Sequence, residues 1–447
     1  MCTQQSASSF SYDPMGRLAT EARTNQLSTP ITYATGYQYY LDGSTETITY
    51  PSGDVLTYVV GGAGHPLGVS DASNTYVASG TTNHATYAPQ GALAGMTNGY
   101  SSAFAGIVTS NTYNDRLQPV LLSASGPDVS TSISVGTYNN GCEPGCTATY
   151  SVASSVGINV GDSVTVTGNG NSILDGTFTV SAVSSGSVTV LFSDENGGKG
   201  NGGTMTDNTS GMVFSQCYNF HLGIAVNSGC VFQANTTGDN GNVYQIANNV
   251  DSTRSTEFTY DSLNRITQAN TINTTSENCW GESYTIDAWG NLTNIAGAPG
   301  MAGSCSTETL NAAPASTANQ LTGYSYDAAG NLLLNSEFYY DQENRLYNPS
   351  APYTYFYDAD SARIFKAASS TGTLYWPGSS GEYLTEANRS GTINEEYIYF
   401  NGSRIARVDR PSGTVHYYFS DQLESTSAIT NASGGSATYY YWLCAGI

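Results

Sequence analysis

A nine-residue unit recurs along this chain, and it restricts the fold more than any other feature of the sequence. It reads aromatic, any residue, Tyr or Ile, Asp, two variable residues, Gly or Asn, Arg or Asn, then Leu or Ile. It stands as FSYDPMGRL (Phe10 to Leu18), FTYDSLNRI (Phe258 to Ile266), YTIDAWGNL (Tyr284 to Leu292), YSYDAAGNL (Tyr324 to Leu332) and FYYDQENRL (Phe338 to Leu346). Looser copies are YNDRL (Tyr113 to Leu117), read with a shortened turn, and FYDADSARI (Phe356 to Ile364). A unit repeated at this scale sets the architecture before local propensity does.

Alternation before the Asp is the period of a strand, and the Leu or Ile after the turn starts the returning strand, so each unit predicts a β-hairpin. Asp13, Asp261, Asp287, Asp327 and Asp341 are placed to accept N–H groups within the turn. Gly16, Gly290, Gly330, Asn264 and Asn344 occupy the position expected to need positive φ, which Gly and Asn tolerate best. A carboxylate so placed caps a turn and is not read as a catalytic acid.

Composition supports strands. The 34 Tyr and 49 Gly, with few Leu, Lys and Glu, suit half-buried pleated surfaces and turns. No stretch carries a convincing helical stripe; the nearest, Ser361 to Ser369, is short and follows a tyrosine-rich strand pattern. Only 11% of residues are charged, yet 35 acidic against 13 basic residues give a net charge of -22. Such a field repels phosphate backbones and anionic lipid, which argues against nucleic acid and membrane surfaces as partners. No apolar run is long enough for a membrane helix, and Met1 to Ser9 lacks the basic start and apolar run of a signal peptide.

The eight cysteines are dispersed. Cys142 and Cys146 suggest a short disulfide loop, and Cys217 with Cys230 and Cys279 with Cys305 suggest bridges inside connecting segments. Metal-ligand spacing is absent. The Ser/Thr/Asn/Gly surface agrees with an extracellular or cell-surface protein.

The repeat resembles that of the YD-repeat family, which includes bacterial Rhs proteins, the C component of insecticidal toxin complexes and teneurin shells. The resemblance covers residues 1 to about 126 and 211 to 447, and it implies a β-sheet strip that spirals into a hollow shell. The C-terminal part is similar to an Rhs core: EYIYFNGSRIARV (Glu396 to Val408), then VHYYFSDQLESTSAITNASG (Val415 to Gly434). Where the family pattern has His and Gly, this chain has Gln422 and Glu424. A β-carbon at Glu424 is expected to alter or strain the turn after Leu423. The family's later DPxG-type motif is absent, and none of the family's self-cleavage residues can be carried over.

Residues 127–210 break the pattern. From Asp162 to Phe192 the sequence alternates cleanly, with Val164, Val166, Phe178, Val180, Val188 and Val190 forming one inward face. Gly-Asn and Asp-Gly clusters separate the runs. The expected organisation is therefore all-β: a YD-repeat shell segment over 1–126, a small inserted β-sandwich or barrel over 127–210, and a second shell segment over 211–447 that runs into the Rhs-like core.

Templates for catalysis fail one by one. The glycine-rich stretch Asn196 to Gly203 has Lys199 but neither a following Ser/Thr nor a helix, and is read as a flexible loop. Glu395 and Glu396 are neighbours on a strand and face opposite ways, so they are not a glycosidase pair. The four histidines, His65, His84, His221 and His416, meet no nucleophile elbow. Oxygen-rich loops at Asp194, Glu195 and Asn196, and at Asp239 and Asn240, match no calcium spacing. The expectation is a non-enzyme with no catalytic, cofactor or metal residues.

Three roles stay open on the sequence. One is a shell segment that encapsulates or presents a C-terminal toxin payload absent from this chain. Another is a surface adhesin that binds carbohydrate through exposed aromatics. The third is a degenerate repeat protein that has lost its payload, suggested by Gln422, Glu424 and the end at Ile447. Open sheet edges are expected to promote self-association.

Overall fold

The computed structural model describes residues 6–25, 29–102, 104–126, 130–138, 146–155, 158, 160, 162–192, 198–207, 212–221, 230, 239–275, 278–312, 319–334, 338–348, 353–432, 434 and 438–439. It is an all-β fold. Helical turns among these residues are short 3-10 pieces, at Ser172–Leu174, at Ser252–Arg254 and at Leu334. The chain resolves into two compact units: Met1–Asn74, Cys217–Thr414 and Trp442–Ile447 make the first, and Thr75–Gln216 with Val415–Tyr441 the second.

The first unit is made of consecutive antiparallel hairpins. Strands Ser6–Tyr12, Leu18–Asn25, Ile31–Tyr39, Thr45–Thr49, Val55–Val60 and Pro66–Ser70 pair each with the next. A second run, from Gln245–Asn248 through Thr256–Tyr260, Ile266–Thr271, Gly281–Ile286 and Leu292–Gly297 to Leu310–Asn311, does the same. A third runs from Thr354–Tyr357 to Ser403–Asp409. One apolar cluster here gathers Phe365, Leu374, Trp376 and Ala387, with Ile31, Tyr33, Phe356, Ala367 and Ile393 against them. Further apolar side chains, Leu56, Val69, Ile364, Leu384, Ile398, Phe400, Ile405 and Val408 among them, are buried elsewhere in the unit. The disulfides Cys217–Cys230 and Cys279–Cys305 both form, as their spacing suggested. Cys142 lies outside the described residues, so the loop expected at Cys142–Cys146 does too.

Within the second unit, six strands close into a barrel. Ser130–Tyr138 pairs with Thr147–Val152, which pairs with Ser187–Leu191, then Gly176–Ser184, Ser163–Thr167, Thr204–Asp207, and back to Ser130–Tyr138. Of the two arrangements the sequence left open, the barrel is the one that forms. Its filling is the alternating set read from the sequence: Val164, Val166, Val180, Val188 and Val190 are buried and Phe178 packs against them, joined by Tyr150, Leu174 and Met205. Closure leaves those six strands without a free edge.

The glycine-rich stretch corrects the sequence reading. Gly198–Asn201 is not a loop but a strand paired with Ser130–Tyr138, with Lys199 opposite Thr137. The glycine is sterically required: a β-carbon on Gly200 would come 1.7 Å from Asn169 Oδ1. Compositional flexibility here serves the close approach of two segments of the chain.

Candidate functional site: stitched turns and a tyrosine seam

Each repeat turn is built in the same way. Asp13 N–H donates to the Arg17 carbonyl at 2.8 Å and Gly16 N–H to the Asp13 carbonyl at 2.9 Å. Gly16 sits at φ +80°, and the register slips by one residue just before the turn. This is a tight turn followed by a left-handed residue that forms a bulge. Asp261, Asp287, Asp327 and Asp341 repeat both bonds, and Asn264, Gly290, Gly330 and Asn344 all lie at positive φ, as the sequence pattern required.

The aspartate side chain fills the turn. Asp13 Oδ1 accepts the N–H groups of Met15 and Arg17, both at 2.9 Å, while Oδ2 accepts Arg17 Nε at 2.7 Å. Asp287 replaces the guanidinium with the Asn291 amide, at 3.0 Å. The Arg17 backbone N–H holds the Asp13 carboxyl below the ordinary 3.8, and the Asn291 side chain does the same for Asp287. Hydrogen bonds to the ionised form are the cause.

The Arg/Asn position, to which the sequence reading gave no role, joins one turn to the next. Arg17 Nη1 donates to the Tyr40 carbonyl at 2.7 Å, Arg265 Nη1 to that of Asp287 at 3.0 Å, and Arg345 Nη1 to that of Asp358 at 3.0 Å. Asn291 reaches Asn319 and Asn331 reaches Asn344, at 2.7 and 2.8 Å. The tyrosines that precede the turns also bond beyond their own strand. Tyr260 Oη donates to the Val243 carbonyl at 2.6 Å and Tyr357 Oη to that of Leu346 at 2.9 Å. A recurring Arg or Asn after the turn glycine was the signal available in the sequence.

The same turn recurs where the nine-residue pattern is loose or missing. Tyr40, Tyr50, Gly61, Ala88, Asn114, Asp358, Gly378, Asn388 and Asp421 make the same pair of backbone bonds. YNDRL is therefore not a shortened copy: Asn114 stands at the Asp position and Leu117, at φ +67°, at the glycine position. Glu424 keeps the turn but adopts φ +62°, so the strain expected there is present.

A seam within the first unit joins residues far apart in sequence. Tyr50 Oη donates to the Tyr397 carbonyl at 2.6 Å, Tyr58 Oη to that of Tyr399 at 3.0 Å and Tyr33 Oη to that of Gly391, while Ser379 N–H donates to Tyr37 Oη at 3.0 Å. Burial raises the Tyr50 and Tyr58 hydroxyls well above their usual range, so they remain donors. Buried Arg23 bridges Glu21, at 2.7 Å, and Asp358; Arg410 bridges Glu396, at 2.6 Å, and Asp54.

Residues weighed for catalysis are placed apart. Glu395 accepts Tyr397 Oη at 2.6 Å, whereas its neighbour Glu396 is buried against Arg410. His65 lies in a hairpin turn, His84 Nδ1 is 2.9 Å from the Gly80 carbonyl, His221 N–H caps on Asn219, and His416 lies in strand Thr414–Ser420. Asp239 Oδ1 accepts the Gly241 N–H at 2.9 Å, and Asn240 bonds Asn264. Asp194, Glu195 and Asn196 lie outside the described residues. Among those described, no three His, Cys, Asp or Glu gather as metal ligands, and no helix is long and apolar enough to cross a membrane.

These features define a class: an all-β hairpin-repeat protein with stitched turns. Its fold is similar to that of solved toxin-complex structures. They are TcdB2-TccC3-TEV (TM-score 0.58, 95% of this chain), TcdB2-TccC3-Cdc42 (0.56, 95%) and a Photorhabdus luminescens Tc holotoxin pore carrying a TccC3 mutation (0.59, 96%). Each is 13% identical, which establishes likeness of fold alone, and this chain spans 19% of the length of each. No family model matches the sequence, and no curated protein does.

Proposed function

We propose that this chain is a wall segment of an Rhs/YD-repeat shell, of the kind found in toxin complexes, that encloses or presents a payload and performs no chemistry of its own. The observation that carries this reading is the turn-to-turn stitching by Arg17, Arg265 and Arg345, in a fold matched over 95% of the chain by toxin-complex structures. A catalyst needs a few groups held around a reacting atom. This chain invests its Asp, Arg and Tyr residues in tying each hairpin to the next, which is what a long wall requires. The two disulfides fit an oxidising, extracellular setting.

Cryo-electron microscopy of the chain fused at its C-terminus to an unfolded, protease-sensitive reporter tests the reading. The expected result is a curved strip with reporter density on its concave side, and a reporter cut more slowly than when free. Separate bodies with the reporter cut at its free rate would overturn it.

A further inference from the structure

A cleft of about 390 Å³ in the first unit is lined by hairpin residues between Ser44 and Pro66 and between Ser380 and Gly402. Ile48, Val60 and Pro66 supply its apolar lining. Three of its hydroxyl protons are committed elsewhere: Ser44 Oγ donates to Asp42 Oδ1 at 2.6 Å, Tyr58 Oη to the Tyr399 carbonyl at 3.0 Å, and Tyr399 Oη to the Tyr383 carbonyl at 3.1 Å. A hydroxyl that has spent its proton offers an incoming group only an acceptor. Glu382 adds a carboxylate to the same lining, with no ion-pair partner among the described residues and with Oε2 buried without a hydrogen bond. Burial pushes that carboxyl above its ordinary value although the backbone N–H groups of Glu382 and Ser380 hydrogen-bond to it, and no cation among the described residues stands beside it.

We propose that this cleft is a binding site for an alkylammonium group, a primary ammonium on a slender aliphatic stem such as a lysine side chain or a short polyamine carries. An ammonium brings three donors and no acceptor, which complements the Glu382 carboxylate and the three hydroxyls that have spent their protons. It supplies the countercharge that Glu382 lacks. Its stem covers Ile48, Val60 and Pro66, and the Tyr58 ring adds a cation-π contribution. Anionic ligands meet a carboxylate without a cation beside it and are repelled. A hard divalent cation needs six or more oxygen ligands, and no group of three acidic or other ligating residues gathers in the described structure. The inference rests on the cleft alone and does not depend on the wall-segment reading.

Titration calorimetry on the full chain tests it, with Nα-acetyl-lysine methylamide and 1,4-diaminobutane as probes and Nα-acetyl-norleucine methylamide and a methyl glycoside as controls. Saturable one-to-one binding of either amine, without binding of the norleucine analogue, is expected. Preference for the lysine analogue would assign the site to a protein partner's side chain, and preference for the diamine to a free polyamine. Glu382→Gln should weaken amine binding about tenfold or more, the scale of a hydrogen bond to a charged group. If Glu382→Gln fails to fold by circular dichroism, Ser380→Trp, at an exposed turn of the lining, should block binding by filling the cleft. Equal binding of amine and norleucine analogue, amine binding that survives whichever of these variants folds, binding of the glycoside alone, or no amine binding would each overturn the proposal.

Discussion

The six-stranded barrel and the hairpin runs of the first unit handle the same liability, the free edges of β-sheets, by different physical means. The barrel closes on itself, and one apolar cluster from Ile133 to Met205 fills it. The hairpins stay open within their runs, and to apolar burial, at Leu56, Ile364, Leu384, Ile398 and Phe400 among others, they add hydrogen bonds repeated turn after turn. Apolar packing is non-directional and tolerates variation in sequence. Hydrogen-bonded stitching is directional and needs the same residue type at the same place, which is why a motif is visible in one region and only alternation in the other.

The contrast can be broken hardest at Arg23. Replacing it with Ala strands the buried Glu21 and Asp358 carboxylates, and breaking a buried ion pair costs about 3–5 kcal/mol. Hydrogen exchange should show the first unit loosened and the barrel unchanged. The converse test is Leu174→Ala, which opens a cavity beside Tyr150 in the barrel and should cost about 3 kcal/mol there. Protection lost among the first-unit hairpins instead would mean that the two regions do not fold by separate means.

A smaller effect sharpens the account of the turns. Glu424→Gly removes a side chain from a left-handed position and should stabilise the hairpin Thr414–Ser420/Thr426–Asn431 by roughly 1 kcal/mol in thermal or denaturant unfolding. Destabilisation would show that the Glu424 side chain contributes more than its strain costs.

The smallest effect is on pH. Asp13, Asp261, Asp287 and Asp327 are held below the ordinary 3.8, so the stability they contribute is present above that value and lost as pH falls through their lowered values. Half-buried Glu382 and Glu386 run the other way: held above 4.5, they favour the folded state at low pH, and that contribution is lost as pH rises through their raised values. Exchange followed from pH 4 to 2 should therefore show the repeat turns opening in acid before the barrel does. Asp261→Asn with Asp287→Asn should flatten that acid dependence; an unchanged profile would remove the aspartates as its cause.

Much of this was legible in the sequence, for reasons that differ between residues. The hairpins, the positive φ at Gly16 and Asn264, and the inward valines of the barrel follow from local rules: the two-residue strand period and the steric freedom of Gly and Asn at turns. The two disulfides that form, Cys217–Cys230 and Cys279–Cys305, close segments short enough to suggest themselves. Turns at Tyr50, Gly61 and Ala88 were hidden because backbone bonds define them and the Asp that advertises the others is absent. Gly198–Asn201 looked like a loop because the need for glycine comes from Asn169, which sequence distance conceals.

The sequence by itself determined the repeating local unit, because a turn of this kind is specified by residues within a few positions of one another. Only the tertiary structure decided which turns are stitched together, that the inserted strands close into a barrel, that Tyr50 and Arg23 meet partners more than 300 residues away, and that Glu382 lines a cleft without a cation beside it. Contacts of that range depend on how successive hairpins stack, and no local pattern encodes them.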